Sequence, residues 1–309
     1  MRNWVIGGTA ALAGLFGAGI YTARAAKRAE ELVPMDGRIV TAGAYRLHVT
    51  EQGEGRPLLL IHGLGAQLRS FGQAMVDELA KDHRVIRVDR PGSGYSPALP
   101  NGSQRLADQA DAIAALIDEM KLEKPILVGH SLGGALSLTV AHRHPGKVGG
   151  LALIAPATQP VRDVPEVFRG LMVPLSVVPL VARTIAVPLA HATRDKVLKE
   201  VFRPDPVPAD YLVNGGGALA MRPGNVEAAC GDLQLAREDG EEMVGHYAGL
   251  KLPVAILFGR EDNLLDYREH GKKSASAIPG ARLTLVEGGH MLPYTAPVET
   301  AKWVRSAIA

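Results

Sequence analysis

A serine hydroxyl attacks a carbonyl only when a base takes its proton and a third group orients that base. The pentapeptide Gly129-His130-Ser131-Leu132-Gly133 presents a serine directly after the apolar run "PILV" (125–128). Two further runs end in residues that complete such a set. "VAILFGRED" (254–262) leads to Asp262, and "LTLVEGGH" (283–290) leads to His290. In an open parallel sheet, side chains at the carboxyl ends of strands gather at one crevice. Ser131, Asp262 and His290 are therefore candidates for acyl-transfer chemistry. Each has a plainer alternative. Ser131 would otherwise be a turn residue, Asp262 a helix cap with Asp266 as rival acid, and His290 a buried structural imidazole.

Acyl transfer also needs donors for the oxyanion that forms on the carbonyl. Glycines at 129 and 133 let a strand turn sharply into a helix, leaving the backbone N–H of Leu132 at the helix N-terminus. "HGLG" (62–65) follows an earlier apolar run and offers the N–H of Leu64 as the second donor. His62, Gly63 and His130 read as supports for these loops, and Asp89 as the anchor of the "RPGSG" turn. His48, His83, His142, His144, His191, His246 and His270 show no metal-ligand spacing. Cys230 is the sole cysteine, which excludes an intrachain disulfide and a cysteine-cluster metal site. No cofactor is expected.

The elements that must position these residues alternate from Gly37 onward, the pattern of an α/β protein with a mostly parallel central sheet flanked by helices. Strands are expected within 56–65, 83–96, 125–130, 150–157, 252–263 and 281–290. Helices are expected near 70–81, 103–120, 132–143, 266–277 and 297–308. In the second of these, apolar positions 106, 110, 113, 116, 117 and 120 form one face, with Ser103 as N-cap. Between Ala157 and Leu250 the alternation stops. That block carries prolines at 160, 165, 174, 179, 188, 204, 206, 208 and 223 and reads as an inserted helical cap. The expected organisation is an N-terminal segment (1–28), a first core part (29–157), a cap (158–249) and a second core part (250–309).

Taken together, "HGLG", "DRPGSGYS", "GHSLGG", "GREDNLLD" and "GGHMLPYTAP" resemble the α/β-hydrolase superfamily, with the order Ser–Asp–His. The resemblance covers about residues 38–157 and 250–309. It implies that Ser131 is the nucleophile, His290 the general base and acid, and Asp262 the residue orienting the histidine, with Leu64 and Leu132 lining the oxyanion hole. A serine nucleophile excludes the superfamily's aspartate-based epoxide and haloalkane chemistry. Leu64 follows "HG" without the longer glycine run of several carbon–carbon bond hydrolases. Hydrolysis of a carboxylic ester through an acyl-serine is thus the leading reaction, on a lipophilic substrate such as an acylglycerol or medium-chain ester. Thioesterase, lactonase and perhydrolase or haloperoxidase-like activities use the same triad and stay open. A non-catalytic binding protein on this scaffold usually lacks a triad member, and all three are present.

The N-terminus reads differently from the rest. Trp4–Tyr21 has no charged residue and as a helix would span about 27 Å, close to a bilayer core. A single-pass membrane anchor is expected there, with a further resemblance to membrane-tethered monoacylglycerol lipases and a slight preference for a cytoplasmic body. The alternative is a signal cleaved after Ala23-Arg24-Ala25, giving a secreted or periplasmic protein. Residues 1–28 hold four basic side chains and no acid, leaving 30 basic against 32 acidic side chains in the remainder. Without a basic stripe, nucleic acid is excluded as a partner. Oligomeric state stays open.

Overall fold

In the computed structural model, the backbone is described for residues 2–308 and the side chains for residues 14–307. In chain order the elements are α1 (Arg2–Leu32), β1 (Arg38–Ala42), β2 (Tyr45–Gln52), β3 (Arg56–Ile61), α2 (Gln73–Leu79), β4 (His83–Val88), α3 (Leu106–Glu119), β5 (Ile126–His130), α4 (Leu132–Arg143) and β6 (Gly150–Ile154). The chain then runs through α5 (Val178–Arg183), α6 (Ala186–Phe202) and α7 (Pro223–Val244). It returns to β7 (Val254–Gly259), α8 (Ser274–Ala277), β8 (Arg282–Val286), α9 (Leu292–Thr295) and α10 (Pro297–Ile308).

The strands form one eight-stranded sheet in the order β1-β2-β4-β3-β5-β6-β7-β8. β1 and β2 pair antiparallel, as do β2 and β4, and every other neighbouring pair is parallel. The apolar runs are explained by burial on both faces. In β3, Leu59 and Ile61 point into the cluster holding α3 and α4, whereas Leu58 and Leu60 join Met75, Val76 and Leu79 of α2 and Ala301 and Val304 of α10. The chain leaves β3 toward β4 on one side and then crosses to β5 on the other. That reversal opens a crevice at the carboxyl ends of β3 and β5.

Most expected elements are present with trimmed ends. The helix expected over 103–120 starts later, at Leu106, with Arg105 at its N-cap and no cap hydrogen bond from Arg105's own side chain. Ser103 Oγ instead accepts the N–H of Arg105, and the first helical N–H, that of Leu106, donates to Asp239 Oδ2 on α7. A carboxylate 133 positions away thus replaces the local cap. The expected helix near 266–277 is a π-helical turn over Arg268–Lys273 leading into α8.

The membrane-spanning reading of Trp4–Tyr21, and the single-pass location built on it, are corrected by the structure. Among the described residues, no helix is long and apolar enough to cross a membrane. Side chains 4–13 of that stretch lie outside the described residues. The part of α1 that is described carries Arg24, Lys27, Arg28, Glu30 and Glu31 and is joined to the rest of the protein. Thr22 Oγ1 donates to the Thr184 carbonyl at 2.9 Å, and Arg222 pairs with Glu30 at 3.1 Å. Ala29 and Val33 pack with Ala218 and Leu219, and Tyr95 Oη donates to the Val33 carbonyl at 2.6 Å. α1 therefore docks along the cap between β6 and β7, and the N-terminal segment continues as one helix past position 28.

The tightest approach of a glycine to main chain is where α4 starts against β3. A Cβ on Gly133 would sit 2.0 Å from the Ile61 carbonyl oxygen, a main-chain atom that cannot step aside. Gly133→Ala is expected to lower the unfolding free energy by roughly 2–3 kcal/mol or more through overpacking. Gly146→Ala, in open space, should stay within about 0.5 kcal/mol of wild type. Urea unfolding of both variants checks this, and a neutral Gly133→Ala would contradict the packing described.

Candidate active site

Ser131 sits between β5 and α4 with φ 54° and ψ −122°, a region that non-glycine residues rarely occupy. Its surroundings hold it there. Its N–H donates to the Ile154 carbonyl at 3.0 Å, and its own carbonyl accepts from Gly134 and Ala157, both at 2.9 Å. Three glycines make room for the turn. A Cβ on Gly129 would stand 2.5 Å from the Gly133 carbonyl oxygen, and one on Gly134 would stand 2.4 Å from Pro156 Cβ. Strain of this kind stores of order 1–3 kcal/mol and persists only where the surroundings over-determine it.

Asp262 follows β7, and His290 follows β8. His290 Nδ1 and Asp262 Oδ2 are 2.7 Å apart, with the acid's side chain 0% exposed. The other oxygen, Oδ1, accepts the N–H groups of Leu264 (2.9 Å) and Leu265 (3.0 Å). Asp262 is thus held by three hydrogen bonds and orients the imidazole. Asp266, the rival acid, is exposed and bonds to Arg268. His130 donates from Nε2 to the His290 carbonyl at 3.0 Å, and the two rings lie 4.9 Å apart. Burial, reinforced by the neighbouring His290, pushes the His130 imidazole down to about 3.

On the opposite side, His62 Nδ1 bonds to the Gly63 carbonyl at 2.9 Å, and its Nε2 accepts the N–H of Arg90 at 3.0 Å. Accepting at Nε2 requires the proton to sit on Nδ1. Burial and then the Arg90 guanidinium push this imidazole down to about 4. Asp89 is fully buried and accepts from Leu68 and Tyr95 N–H groups, both at 2.8 Å, and from His48 at 2.7 Å. It holds the loop after β4 and does not reach the cavity.

Ser131, Leu132, His290, Gly63, Leu64 and His130 all border one cavity of about 430 Å³. Beyond them its wall is built by α5, α6 and α7, with Val181, Ala186, Leu189, Val197, Val226 and Leu233 among the apolar side chains. Apart from the two histidines, its charged lining residues are Arg194 and Asp232. Among the described residues no group of three or more His, Cys, Asp or Glu is placed to hold a metal ion.

A family model described as the alpha/beta hydrolase fold matches residues 56–297. The chain belongs to the α/β-hydrolase family. It is 34% identical over 126 residues to a 2-hydroxymuconate semialdehyde hydrolase of Pseudomonas sp. (strain CF600), covering 40% of this chain and 44% of that protein. A second protein of that name, from Pseudomonas putida, is 28% identical over 256 residues, covering 81% and 85% of the two chains. Across the first three relatives the chain spans 41–60% of their length. The enol-lactonase from Burkholderia xenovorans LB400 shares the fold with a TM-score of 0.72 and 22% identity, over 88% of this chain and 99% of that one.

Within this α/β-hydrolase, the sequence reading missed a buried ion pair beside the site. Arg90 forks onto Asp232 of α7, with both side chains sealed from water (0% and 1% exposed). Arg90 lies inside the quoted motif "DRPGSGYS", but Asp232 lies in the cap, where no motif marks it.

The buried imidazoles set the acid response. His62 and His270 are pushed down to about 4 and His130 to about 3, in each case chiefly by burial. An unfolded chain protonates its imidazoles near pH 6.5. The unfolded state then binds more protons between about pH 6.5 and 4, so stability falls as pH falls through that window. Asp239, pushed up to about 6 by burial, and His48, raised by Asp89 and Asp36 against burial, oppose the trend. His142 and His191, also lowered by desolvation, add to the loss, so five imidazoles act against these two groups. The urea midpoint should be lower at about pH 5 than at about pH 7.5, with an unchanged m-value. Equal midpoints would contradict the burial of these rings.

Proposed function

We propose that this α/β-hydrolase cleaves carboxylic esters carrying an apolar acyl group, through an acyl-serine intermediate. The observation that carries the reading is a single cavity bordered by Ser131, by His290 bonded to a sealed Asp262, and by an almost wholly apolar wall.

Ser131 Oγ attacks the ester carbonyl while His290 takes its proton at Nε2. Nδ1 stays bonded to Asp262, which keeps the ring in the required tautomer and offsets the imidazolium charge. The carbonyl oxygen becomes an oxyanion held by the N–H groups of Leu64 and Leu132. Its collapse expels the alcohol, protonated by His290, and leaves the acyl group on Ser131. Water deprotonated by His290 then releases the acid. His62, Gly63, Gly129, His130 and Gly133 support these groups, and residues 158–249 act as the cap that receives the acyl chain.

The relatives' names favour a second reading, hydrolysis of an acid resembling 2-hydroxymuconate semialdehyde. A carboxylate-bearing substrate needs a cation in the cavity. Arg194 borders it but pairs with Asp195 at 3.0 Å, and Asp232 is already matched by Arg90. The lining therefore supports a neutral, apolar acyl group.

A fluorophosphonate probe should label the wild type at one residue and leave Ser131→Ala unlabelled. On p-nitrophenyl esters that substitution should cut kcat by about 10⁵–10⁶-fold. With wild type, kcat/KM should rise with chain length, by roughly fourfold for each buried methylene, until the cavity fills. Ala186→Phe should move the optimum to shorter chains. An unlabelled wild type, or undiminished esterase activity in Ser131→Ala, would refute the reading. A flat chain-length profile would refute the apolar acyl site.

A further inference from the structure

The Gly63–Leu64 peptide carries both a carbonyl at 63 and the N–H at 64. It is trans, so these two groups point in opposite directions. Whatever grips the Gly63 oxygen therefore aims the Leu64 N–H. Two donors grip it: His62 Nδ1 at 2.9 Å and Arg90 Nη2 at 3.3 Å. The peptide lies directly against the serine, since a Cβ on Gly63 would stand 2.8 Å from Ser131 Cβ. His62 is itself fixed by Arg90, whose backbone N–H occupies Nε2.

Arg90 in turn is held from the cap. Nη1 reaches Asp232 Oδ1 at 3.2 Å and Gln109 at 2.9 Å, and Nη2 reaches Asp232 Oδ2 at 2.7 Å. Gln109 also donates to Asp232 Oδ1 at 2.9 Å. The guanidinium is fully buried, yet its Nε finds no hydrogen-bond partner among the described residues. Replacing a buried ion pair by apolar side chains is often neutral or stabilising, so an incompletely satisfied pair is weakly explained by stability. Its geometry supplies another explanation. Asp232 shares α7 with Val226, Ala229, Cys230 and Leu233, which line the acyl cavity.

We infer that Arg90 and Asp232 are positioning residues that couple the cap helix to the oxyanion donor: the seating of α7 sets the tilt of the Gly63–Leu64 peptide. The guanidinium charge at the carbonyl end also polarises the peptide and strengthens the opposite N–H as a donor. This rests on the ester-hydrolase reading above, with Leu64 as an oxyanion donor.

The test is the double variant Arg90→Met/Asp232→Leu, which removes both charges and leaves neither buried alone. Its thermal midpoint and fluorophosphonate labelling site should match wild type. Its kcat should fall by about 10–100-fold with KM changed less than about threefold, short of the loss expected when an oxyanion donor is deleted outright. An alkyl trifluoromethyl ketone, which forms an oxyanion on the serine, should bind more weakly by the same factor. The matching methyl ketone should bind as to wild type. Arg90→Lys, which supplies one cation but no fork, should fall between the two. If the double variant does not fold, Asp232→Asn, which leaves the Arg90 charge unbalanced and so lowers the thermal midpoint, carries the same expectations for kcat, KM and ketone affinity. A folded variant with wild-type kcat and unchanged trifluoromethyl ketone affinity overturns the coupling. A wild type that the probe does not label overturns the ester-hydrolase reading first, and the coupling with it.

Discussion

The close approach of α4 to β3 is the contact on which the rest of the site depends. No side chain fits at Gly129, Gly133 or Gly134, because main-chain oxygens or Pro156 already occupy the space a Cβ would need. That approach bends the chain sharply at Ser131 and holds it at φ 54°. It also brings the N-terminus of α4 beside the turn after β3. Both proposed oxyanion donors, Leu64 and Leu132, thus arise from one packing event. A wider crossing would relax the serine and separate the two N–H groups together.

Around this contact the sheet divides the labour by topology. The parallel strands β3, β5, β7 and β8 all end on the same side, so residues far apart in sequence meet at one rim. Asp262 is sealed from water and bonded three times, once to His290 Nδ1, which leaves Nε2 for the proton transfer proposed above. The neutral His130 behind it adds a hydrogen bond without adding charge. The cap closes the opposite wall with aliphatic side chains, and its buried acids turn away from the cavity, Asp232 to Arg90 and Asp239 to Arg105 and the Leu106 N–H.

Much of this was legible because the informative residues are local. The runs at 126–130, 254–259 and 282–286 each have a glycine at or within two residues of their end, and the fold places Ser131, Asp262 and His290 just after them. The apolar face 106, 110, 113, 116, 117 and 120 of α3 is buried as its spacing requires. What stayed hidden depends on distant partners. Ser103 is a sound local cap for α3, yet Asp239 from the cap caps it instead, and no pattern near residue 106 announces that. The Arg90–Asp232 pair is hidden for the same reason. The apolar composition of 4–21 drew a membrane span, whereas the charged continuation of α1 is tied to the cap by Thr22 and Glu30 and by Val33 packing on Ala218 and Leu219.

The central claim is that Ser131 and the Leu64 and Leu132 amides act on one carbonyl at the mouth of an apolar cavity. The crystal structure of the protein reacted with a long-chain alkyl fluorophosphonate, which loses fluoride when the serine attacks, tests it most directly. The account predicts phosphorus bonded to Ser131 Oγ and its oxygen about 2.7–3.1 Å from both amide nitrogens. The alkyl chain should run between α6 and α7. A phosphonyl oxygen turned away from Leu64 and Leu132, or an adduct on another residue, would contradict it.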